Sequence, residues 1–414
     1  MRLNYKPIGK YIREIDNRNA GLKVKQLLGL SILKQFIPSV ANIIGTDMEN
    51  YKIIRKNQFA CSTMQVRRDK KMPVALLQTV DEAIISQAYP IFEVVDEKLL
   101  LPKYLMMWFT RAEFDREACF YAIGGVRGSL EWEDFLVMQL PIPSITKQKE
   151  IVAEYNTIQS RIYLNQQLIQ KLEETAQAIY KSWFVDFEFP DENGKPYKSN
   201  GGEMVESELG EIPKGWEVGI LGDIIDVVNG YAFGSSDFYK AGDFPIIKIA
   251  NIVSPNVELE TGFYYKGELN NSMKKSFVHY GDILISMTGS HINQMNSAVG
   301  KIGRYNYQFP AILNQRVGRL KTKFECSEFV YRIMLKEETQ KEILMSATGS
   351  ANQANISPDT IKSVRIINPE KKILQRFDEL MQKTNRHMNL YNSEIRELEN
   401  LKSLLLSKLA TIEN

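Results

Sequence analysis

The stretch IVAEYNTIQSRIYLNQQLIQKLEETAQAIYKSWF at residues 151–184 decides the fold, because its apolar residues recur at alternating intervals of four and three. That spacing is the seam of a coiled coil. A second stretch, FDELMQKTNRHMNLYNSEIRELENLKSLLLSKL at residues 377–409, repeats the seam at an offset of 226, from 151 to 377. Two heptad helices in the same register predict a tandem duplication.

The seam supplies the candidate helix-pairing residues. In the first helix they are Ile151, Tyr155, Ile158, Ile162, Asn165, Ile169, Leu172, Ile179 and Trp183. In the second helix they are Phe377, Met381, Met388, Tyr391, Ile395, Leu398, Leu405 and Leu409. Asn165 and Lys402 are polar residues on this seam, and polar seam residues often set the register at a cost in stability. The alternative, that either side chain simply reaches the solvated rim, stays open.

The residues upstream of each helix repeat as well. The corresponding segments are KPIGKYI (6–12) and GILGDII (219–225), NQFACSTM (57–64) and GDILISMT (281–288), AIISQ (83–87) and AILNQ (311–315), and LVMQLPIP (136–143) and KSVRIINP (362–369). Alternating Gly and β-branched residues in these segments favour short strands, and Pro143 and Pro369 end extended runs before a helix begins. We therefore predict an α+β fold of two tandem α/β domains, each followed by a long helix.

An acidic connector separates the two copies. Residues 186–211 hold 8 acidic side chains against only Lys195 and Lys198, and they are rich in Gly and Pro. The predicted boundaries are a first domain at 1–143, a central helical region at 144–185, this linker at 186–211, a second domain at 212–369 and a C-terminal helical region at 370–414.

Composition and motifs argue against several function classes. Cys61, Cys119 and Cys326 are scattered, as are the 3 histidines, so we expect no disulfide framework, no metal site and a reducing, cytoplasmic location. Apolar runs are too short to span a membrane. No P-loop, dinucleotide-binding or hydrolase motif is present, and PDENGK (190–195) lies in the connector. We predict that the chain is not an enzyme. The net charge of +2 fits a nucleic-acid partner only weakly.

Several motifs together resemble the specificity subunit of type I restriction–modification systems, over essentially the whole chain. They are QLPIPSITKQKEIVAEYNTI (139–158), IPKGWEVGILGDIIDVVNG (212–230), GDILISMTGS (281–290), VGKIGRY (299–305), AILNQRVGRL (311–320) and ATGSANQANIS (347–357). The pattern departs in two places. The first copy lacks the IPxGW entry found at 212–216 and has Asn57-Gln58 where the second has Gly281-Asp282. PEKKILQRF (369–377) lacks the Gln-Lys pair found at 148–149.

The resemblance implies two target recognition domains, each reading one half of a split site in double-stranded DNA. It implies that the helices pair antiparallel, set the spacing between the half-sites and dock two copies of a modification (methyltransferase) subunit. S-adenosylmethionine, ATP and Mg would belong to that subunit and to a restriction/translocase subunit, with no cofactor bound by this chain. The alternative is a non-enzymatic coiled-coil scaffold that binds protein partners and does not read DNA.

Base recognition calls for Arg, Asn or Gln side chains, and phosphate contact calls for Lys, Arg or backbone amides. Two pairs of loops supply them, and hairpin tips or turns exposed to solvent are the plain alternative. The candidates in the first copy are Arg67, Arg68, Lys70, Lys71 and Arg127, the last beside Gly124 and Gly125. Those in the second copy are Asn293, Gln294, Asn296, Lys301, Arg304, Tyr307, Asn352, Gln353 and Asn355. Gln87 and Gln315 recur in both copies, and for them we predict hydrogen bonding in the core.

Overall fold

A computed structural model describes residues 5–39, 46–124, 128–259, 262–290, 297–350 and 353–412. The chain divides into two compact units. Unit 1 comprises residues 1–166 and 393–414, and unit 2 comprises residues 167–392. Each unit therefore contains one α/β domain together with parts of both long helices.

Unit 1 contains the first α/β domain. Its elements are β1 (Tyr5–Pro7), β2 (Ile12–Ile15), β3 (Leu28–Leu30), β4 (Phe36–Pro38), β5 (Lys52–Arg55), β6 (Phe59–Cys61), α1 (Val66–Asp69), β7 (Val74–Leu76), β8 (Glu82–Ile85), β9 (Ile91–Val94), α2 (Pro102–Thr110), α3 (Ala112–Tyr121), α4 (Trp132–Val137) and β10 (Gln139–Pro141). The main sheet has the order β2-β9-β6-β7, and β1 pairs with β10. Aromatic residues fill the core between this sheet and the helices, with Phe59 stacked on Phe92 at 4.9 Å between ring centroids.

Unit 2 contains the second α/β domain. Its strands are β11 (Met204–Ser207), β12 (Gly210–Pro213), β13 (Glu217–Ile220), β14 (Ile225–Asn229), β15 (Phe244–Ile247), β16 (Ile252–Val253), β17 (Asn256–Val257), β18 (Phe263–Tyr265), β19 (Phe277–Val278), β20 (Ile283–Ser286), β21 (Thr288–Gly289), β22 (Ile302–Arg304), β23 (Ala311–Leu313), β24 (Val317–Thr322), β25 (Thr348–Ser350), β26 (Gln353–Asn355) and β27 (Arg365–Asn368). Its helices are α6 (Asn271–Lys275), α7 (Ser327–Leu335), α8 (Glu337–Met345) and α9 (Pro358–Lys362). The largest sheet has the order β14-β24-β20-β22-β17-β16.

The two domains are copies of one fold. The order β2-β9-β6-β7 in unit 1 recurs as β14-β24-β20-β22 in unit 2, and the pair β1–β10 recurs as β13–β27. All four pairs of segments matched in the sequence lie on corresponding elements; AIISQ and AILNQ, for example, begin on β8 and β23. The prediction of two tandem α/β domains is confirmed.

Each domain leads into a long helix, α5 (Ile145–Phe184) after the first and α10 (Lys371–Lys408) after the second. In unit 1 the start of α5, with Ile151, shares a core with Leu406 near the end of α10 and with Leu409 directly after it. In unit 2 the end of α5 packs on the start of α10, where the Phe184 and Phe377 ring centroids are 4.9 Å apart. The helix segments of each unit therefore run antiparallel, as predicted.

The structure places every seam residue of both helices in a buried or half-buried position. Asn165 is fully buried, and its carboxamide has no hydrogen-bond partner within normal distance and angle among the described residues. It is nevertheless close enough to Glu394 to lower the pKa of that carboxylate, together with Arg161, which has the larger effect. Lys402 is half-buried and donates to Glu399 Oε1 at 3.0 Å within its own helix, which fits the rim interpretation for this residue.

Among the described residues, no helix combines the length and the apolar character that crossing a membrane requires.

Candidate nucleic-acid interface

In unit 1 the two candidate loops lie side by side. Leu130 donates its backbone N–H to the carbonyl of Thr63 at 2.9 Å, and the Arg67 backbone N–H donates to Gly128 O at 3.3 Å. The Arg67 guanidinium reaches across to the carbonyl of Gly124 at 3.2 Å. The basic loop after β6 and the glycine-containing loop after α3 thus form one surface, although about 60 residues separate them in sequence.

The short helix α1 holds the basic side chains outward. Gln65 and Lys70, directly before and after α1, have φ values of 62° and 52°, in the left-handed region that residues other than glycine seldom occupy. Val66 is fully buried and anchors the turn. Arg67 and Arg68 are consequently exposed on a backbone that is held by its ends, and strained backbone of this kind is typical of functional loops.

The exposed cations of this loop differ in their surroundings. Arg68 Nε lies 2.6 Å from Asp69 Oδ1, and this hydrogen bond raises the pKa of Arg68 and lowers that of Asp69. Lys70 and Lys71 are exposed. Arg127 lies outside the described residues.

Unit 2 repeats the arrangement with different side chains. Ile356 donates its backbone N–H to Met287 O at 2.9 Å, and Thr288 pairs with Asn355 across β21 and β26. Thr63 and Met287 are related by an offset of 224, and Leu130 and Ile356 by 226, so the equivalent loops meet at equivalent points. At this junction Gly289 is required, because a Cβ there would lie 2.4 Å from Val299 N.

Most of the second-copy candidates present amides or lie outside the described residues. Gln353 is exposed and donates from Nε2 to Asn355 Oδ1 at 3.0 Å, and Asn355 is half-buried. Lys301 is half-buried in the turn before β22. The residues that fall outside the described part of the chain are Asn293, Gln294, Asn296 and Asn352.

Arg304 and Tyr307 occupy places other than the predicted open loop. Arg304 is 6% exposed, its Nη2 lies 2.8 Å from Glu328 Oε2, and its guanidinium stacks 3.9 Å from the Tyr331 ring. Burial is the largest single effect and lowers the pKa of Arg304, but Glu328, Tyr331 and Glu173 together outweigh it, so that the pKa is raised. Tyr307 is half-buried, with its ring 5.3 Å from that of Tyr305. Because Arg304 is already paired inside the domain, we correct its assignment from a loop contact to a structural residue.

The prediction for the recurring glutamines was wrong. Gln87 and Gln315 are both exposed, at the turns that follow β8 and β23. The occurrence of glutamine at the same position in both copies therefore does not indicate that its side chain is buried.

The departure at Asn57-Gln58 preserves the geometry of Gly281-Asp282. Asn57 and Gly281 both have positive φ, 69° and 88°, and Asn tolerates this region better than most residues. The Gln58 side chain accepts from the backbone N–H of Arg55 at 2.8 Å, as Asp282 accepts from that of His279 at 2.7 Å. The divergent dipeptide therefore makes the same turn.

Sequence reasoning missed a charged cluster that joins the second domain to the helices. Arg332 is 1% exposed and pairs through both terminal nitrogens with Glu173 of α5. Asn385 of α10 donates to Glu328, the partner of Arg304. Asp378 of α10 accepts from the Glu328 backbone N–H at 2.7 Å. The one available signal was Arg332 within the otherwise apolar run FVYRIML of α7.

The described residues contain no group of three or more His, Cys, Asp or Glu side chains placed to hold a metal ion.

Comparison with protein families gives a consistent result. A family model described as "Type I restriction modification DNA specificity domain" matches residues 213–399. The chain is 24% identical over 277 residues to the type I restriction enzyme MjaVIII specificity subunit of Methanocaldococcus jannaschii, covering 66% of this chain and 61% of that protein. It is 23% identical over 428 residues to the HindI specificity subunit of Haemophilus influenzae, covering 89% of each.

Among solved structures, the S subunit of a type I restriction–modification system from M. genitalium matches with a TM-score of 0.58 and 14% sequence identity. The match covers 99% of this chain and 96% of that one. At this identity the likeness shows a shared fold.

Proposed function

We propose that this chain is a specificity subunit of a type I restriction–modification system and that it selects the DNA sequence on which a multisubunit complex acts. The family model that matches residues 213–399 and the similarity to two specificity subunits support this proposal. Each α/β domain reads one half of a bipartite target in double-stranded DNA. The observation that carries this proposal is the convergence of equivalent loops in both copies, at Thr63–Leu130 and at Met287–Ile356. A scaffold that bound only proteins would not need two such loop pairs.

The two loop surfaces offer different chemistry to DNA. The first carries Arg67, Arg68, Lys70 and Lys71, which suit phosphate oxygens and guanine edges. The described part of the second carries the amide side chains of Gln353 and Asn355, which suit adenine edges. We therefore expect the first half-site to contribute more of the salt-dependent affinity.

The helices dock the partners and set the spacing. A helix of 40 residues is roughly 60 Å long at 1.5 Å per residue, against about 34 Å for one turn of DNA. Their outer faces carry exposed leucines, which favour a protein interface. These are Leu164 and Leu168 on α5 and Leu390, Leu401 and Leu404 on α10.

The occupants of these faces are two copies of a modification subunit. That subunit supplies methyl transfer from S-adenosylmethionine to adenine, and a restriction/translocase subunit uses ATP and Mg. The chain itself selects the site and carries out none of these reactions.

Replacing Arg67 and Arg68 by Ala tests the assignment of the first half-site. Affinity for the intact target should fall, and the salt dependence of binding should weaken by about one unit of slope for each phosphate that these side chains neutralise in the wild type. Binding to a duplex that carries only the second half-site should stay the same. Arg13→Ala, which removes an exposed arginine from the edge strand β2, is the matched control.

Equal losses on both half-sites, or wild-type binding that does not depend on salt, would contradict this assignment. The second result would favour the protein-binding scaffold.

A further inference from the structure

The last turns of α3 and α8 each expose a bulky apolar side chain. Phe120 is 80% exposed and Met345 is 84% exposed, and no other large apolar side chain in the described part of the chain is more exposed than these two. The helix pairs α2–α3 and α7–α8 are related by an offset of 225, and so are Phe120 and Met345. Exposed apolar surface at the same place in both copies indicates a shared task.

In the first copy this place borders the basic loop. Cys119, the residue before Phe120, donates from Sγ to the carbonyl of Val66 at 3.4 Å, and Val66 directly precedes Arg67. The Phe120 ring meets the half-buried Tyr121 edge-on, with 5.6 Å between centroids. Phe120 therefore stands beside the arginines on a supported base.

The second copy has the same juxtaposition. Ile343 and Leu344, in the last turn of α8, lie beside Gly300, which precedes Lys301 in the first candidate loop. The Ala347 backbone N–H donates to Leu344 O at 3.1 Å, and β25 of the second candidate loop begins at the next residue. Met345 thus lies where both loops of its domain leave the core.

We infer that Phe120 and Met345 are apolar wedges that contact the bases of the first and second half-sites, respectively. The inference rests on the proposed function. Cationic side chains in the first copy and amide side chains in the second hold the DNA at these loops. A bulky apolar side chain beside the loops meets a base step or a thymine methyl group, which it can unstack or cover. A protein partner would not explain why Phe120 and Met345 each lie beside the candidate DNA-binding loops of their own domain.

An apolar wedge has a distinct signature in salt. Affinity that comes from phosphate contacts falls with salt because counterions are released, whereas an apolar contact releases none. Removing a wedge should therefore weaken binding by the same factor at every salt concentration. Removing a wedge should leave unchanged the slope of the logarithm of the binding constant against the logarithm of salt concentration, whereas removing Arg67 and Arg68 should reduce that slope.

The test uses the full chain with its co-purified partners and a duplex that carries the target mapped from methylated adenines. Two further duplexes have one or the other half-site scrambled. Phe120→Ala should bind the intact target about tenfold more weakly, in the range expected when a base loses its stacking partner. It should match the wild type on the duplex with a scrambled first half-site. Met345→Ala should show the mirror-image pattern.

Leu99→Ala is the matched control. Leu99 is also an exposed apolar residue of the first domain, but it lies between β9 and α2, where its carbonyl accepts a hydrogen bond from Gln148 near the start of α5. All three side chains are exposed, so their removal should leave the fold intact. Leu99→Ala should bind every duplex like the wild type.

Wild-type affinity of Phe120→Ala on the intact target, an equal loss on all three duplexes, or a changed salt slope would overturn the inference. Loss of partner subunits during purification, with DNA binding intact, would assign these residues to a protein interface and overturn it as well. Failure of the proposed function looks different, because the wild type itself would then bind intact and scrambled duplexes equally.

Discussion

The two domains share one fold, yet the first packs on the long helices through apolar side chains and the second also through charged and hydrogen-bonded ones. In unit 1, Met107 of α2 and Val152 of α5 lie in an apolar cluster with Leu406 and Leu409. In unit 2, the positions equivalent to Met107 and Val152 hold Arg332 and Asp378, at offsets of 225 and 226. Strand order and loop placement therefore do not depend on which side chains hold the domain to its helices.

The glutamates at the two junctions show how the difference arises. Glu173 and Glu399 occupy the same position of α5 and α10, at an offset of 226. Glu173 pairs with Arg332. In the first domain the residue equivalent to Arg332 is Met107, which offers no positive charge, and Glu399 pairs instead with Lys402 in its own helix.

The second junction is held by buried charged pairs, although the Nε atoms of Arg304 and Arg332 have no hydrogen-bond partner among the described residues. Removing one member of a buried polar network leaves its partner unpaired in a low-dielectric site, whereas apolar packing carries no such penalty. The second junction is thus the more vulnerable to single substitutions.

The largest effect should come from converting Arg304 to the leucine that its equivalent position in the first domain holds, Leu76. Arg304→Leu leaves the Glu328 carboxylate without its cation in a site where that side chain is only 5% exposed. Removing one partner of a buried pair costs about 3–5 kcal/mol. Denaturant unfolding of the variant and the wild type measures this loss.

The double variant Arg304→Leu/Glu328→Leu sharpens the comparison. It should recover most of the lost stability, because apolar residues often replace a buried ion pair at little cost. A double variant as unstable as Arg304→Leu alone would show that the second junction cannot adopt the apolar form of the first.

Arg332→Met, which copies Met107, should cost less, about 2 kcal/mol, because the Glu173 side chain is 42% exposed and water can hydrate it once its partner is gone. Thermal and denaturant unfolding measure the difference. Met107→Leu is the control in the first domain and should cost below about 1.5 kcal/mol. If Arg332→Met lowered the free energy of unfolding as much as Arg304→Leu, then the greater exposure of Glu173 than of Glu328 would not explain a difference between the two ion pairs.

The smallest loss of stability should come from the caps at the starts of α2 and α7. At each start a backbone N–H donates to a side chain of the long helix that follows the domain. Gln148 Oε1 accepts from the Leu101 N–H at 2.9 Å, and Asp378 Oδ1 accepts from the Glu328 N–H at 2.7 Å. Gln148→Ala and Asp378→Ala should each cost about 1 kcal/mol, as loss of a helix cap does.

Asp378→Asn should cost less than Asp378→Ala. Burial raises the pKa of Asp378, so the neutral amide avoids the penalty of a buried charge and still accepts the hydrogen bond. The same unfolding experiment decides this point, and equal losses for Asn and Ala would contradict the capping role.

The cap also explains a departure visible in the sequence. The second helix lacks the glutamine found at 148, where it has Leu374, and Asp378 one turn later takes over the contact. The sequence showed that a residue was missing, but it could not show which side chain replaced it, because that depends on how the helix lies on the domain.

Periodic features were predictable from the sequence, and three-dimensional neighbours were not. The heptad spacing and the constant offset predicted paired helices and duplicated domains, because burial of one helix face imposes a period on the chain. Arg304 looked like a loop cation since its partner Glu328 lies 24 residues away, on another element. For the same reason, spacing alone could not show that the loops near Arg67 and Gly124 form one surface.

The most direct test of the central claim, that each domain reads its own half-site, is selection of bound duplexes from a randomised pool by the full chain with its co-purified partners. A bipartite reader selects two short conserved blocks separated by a spacer of fixed length and free sequence. Replacing Arg67 and Arg68 by Ala should erase one block and leave the other. A single continuous conserved sequence, or loss of both blocks together, would contradict this claim.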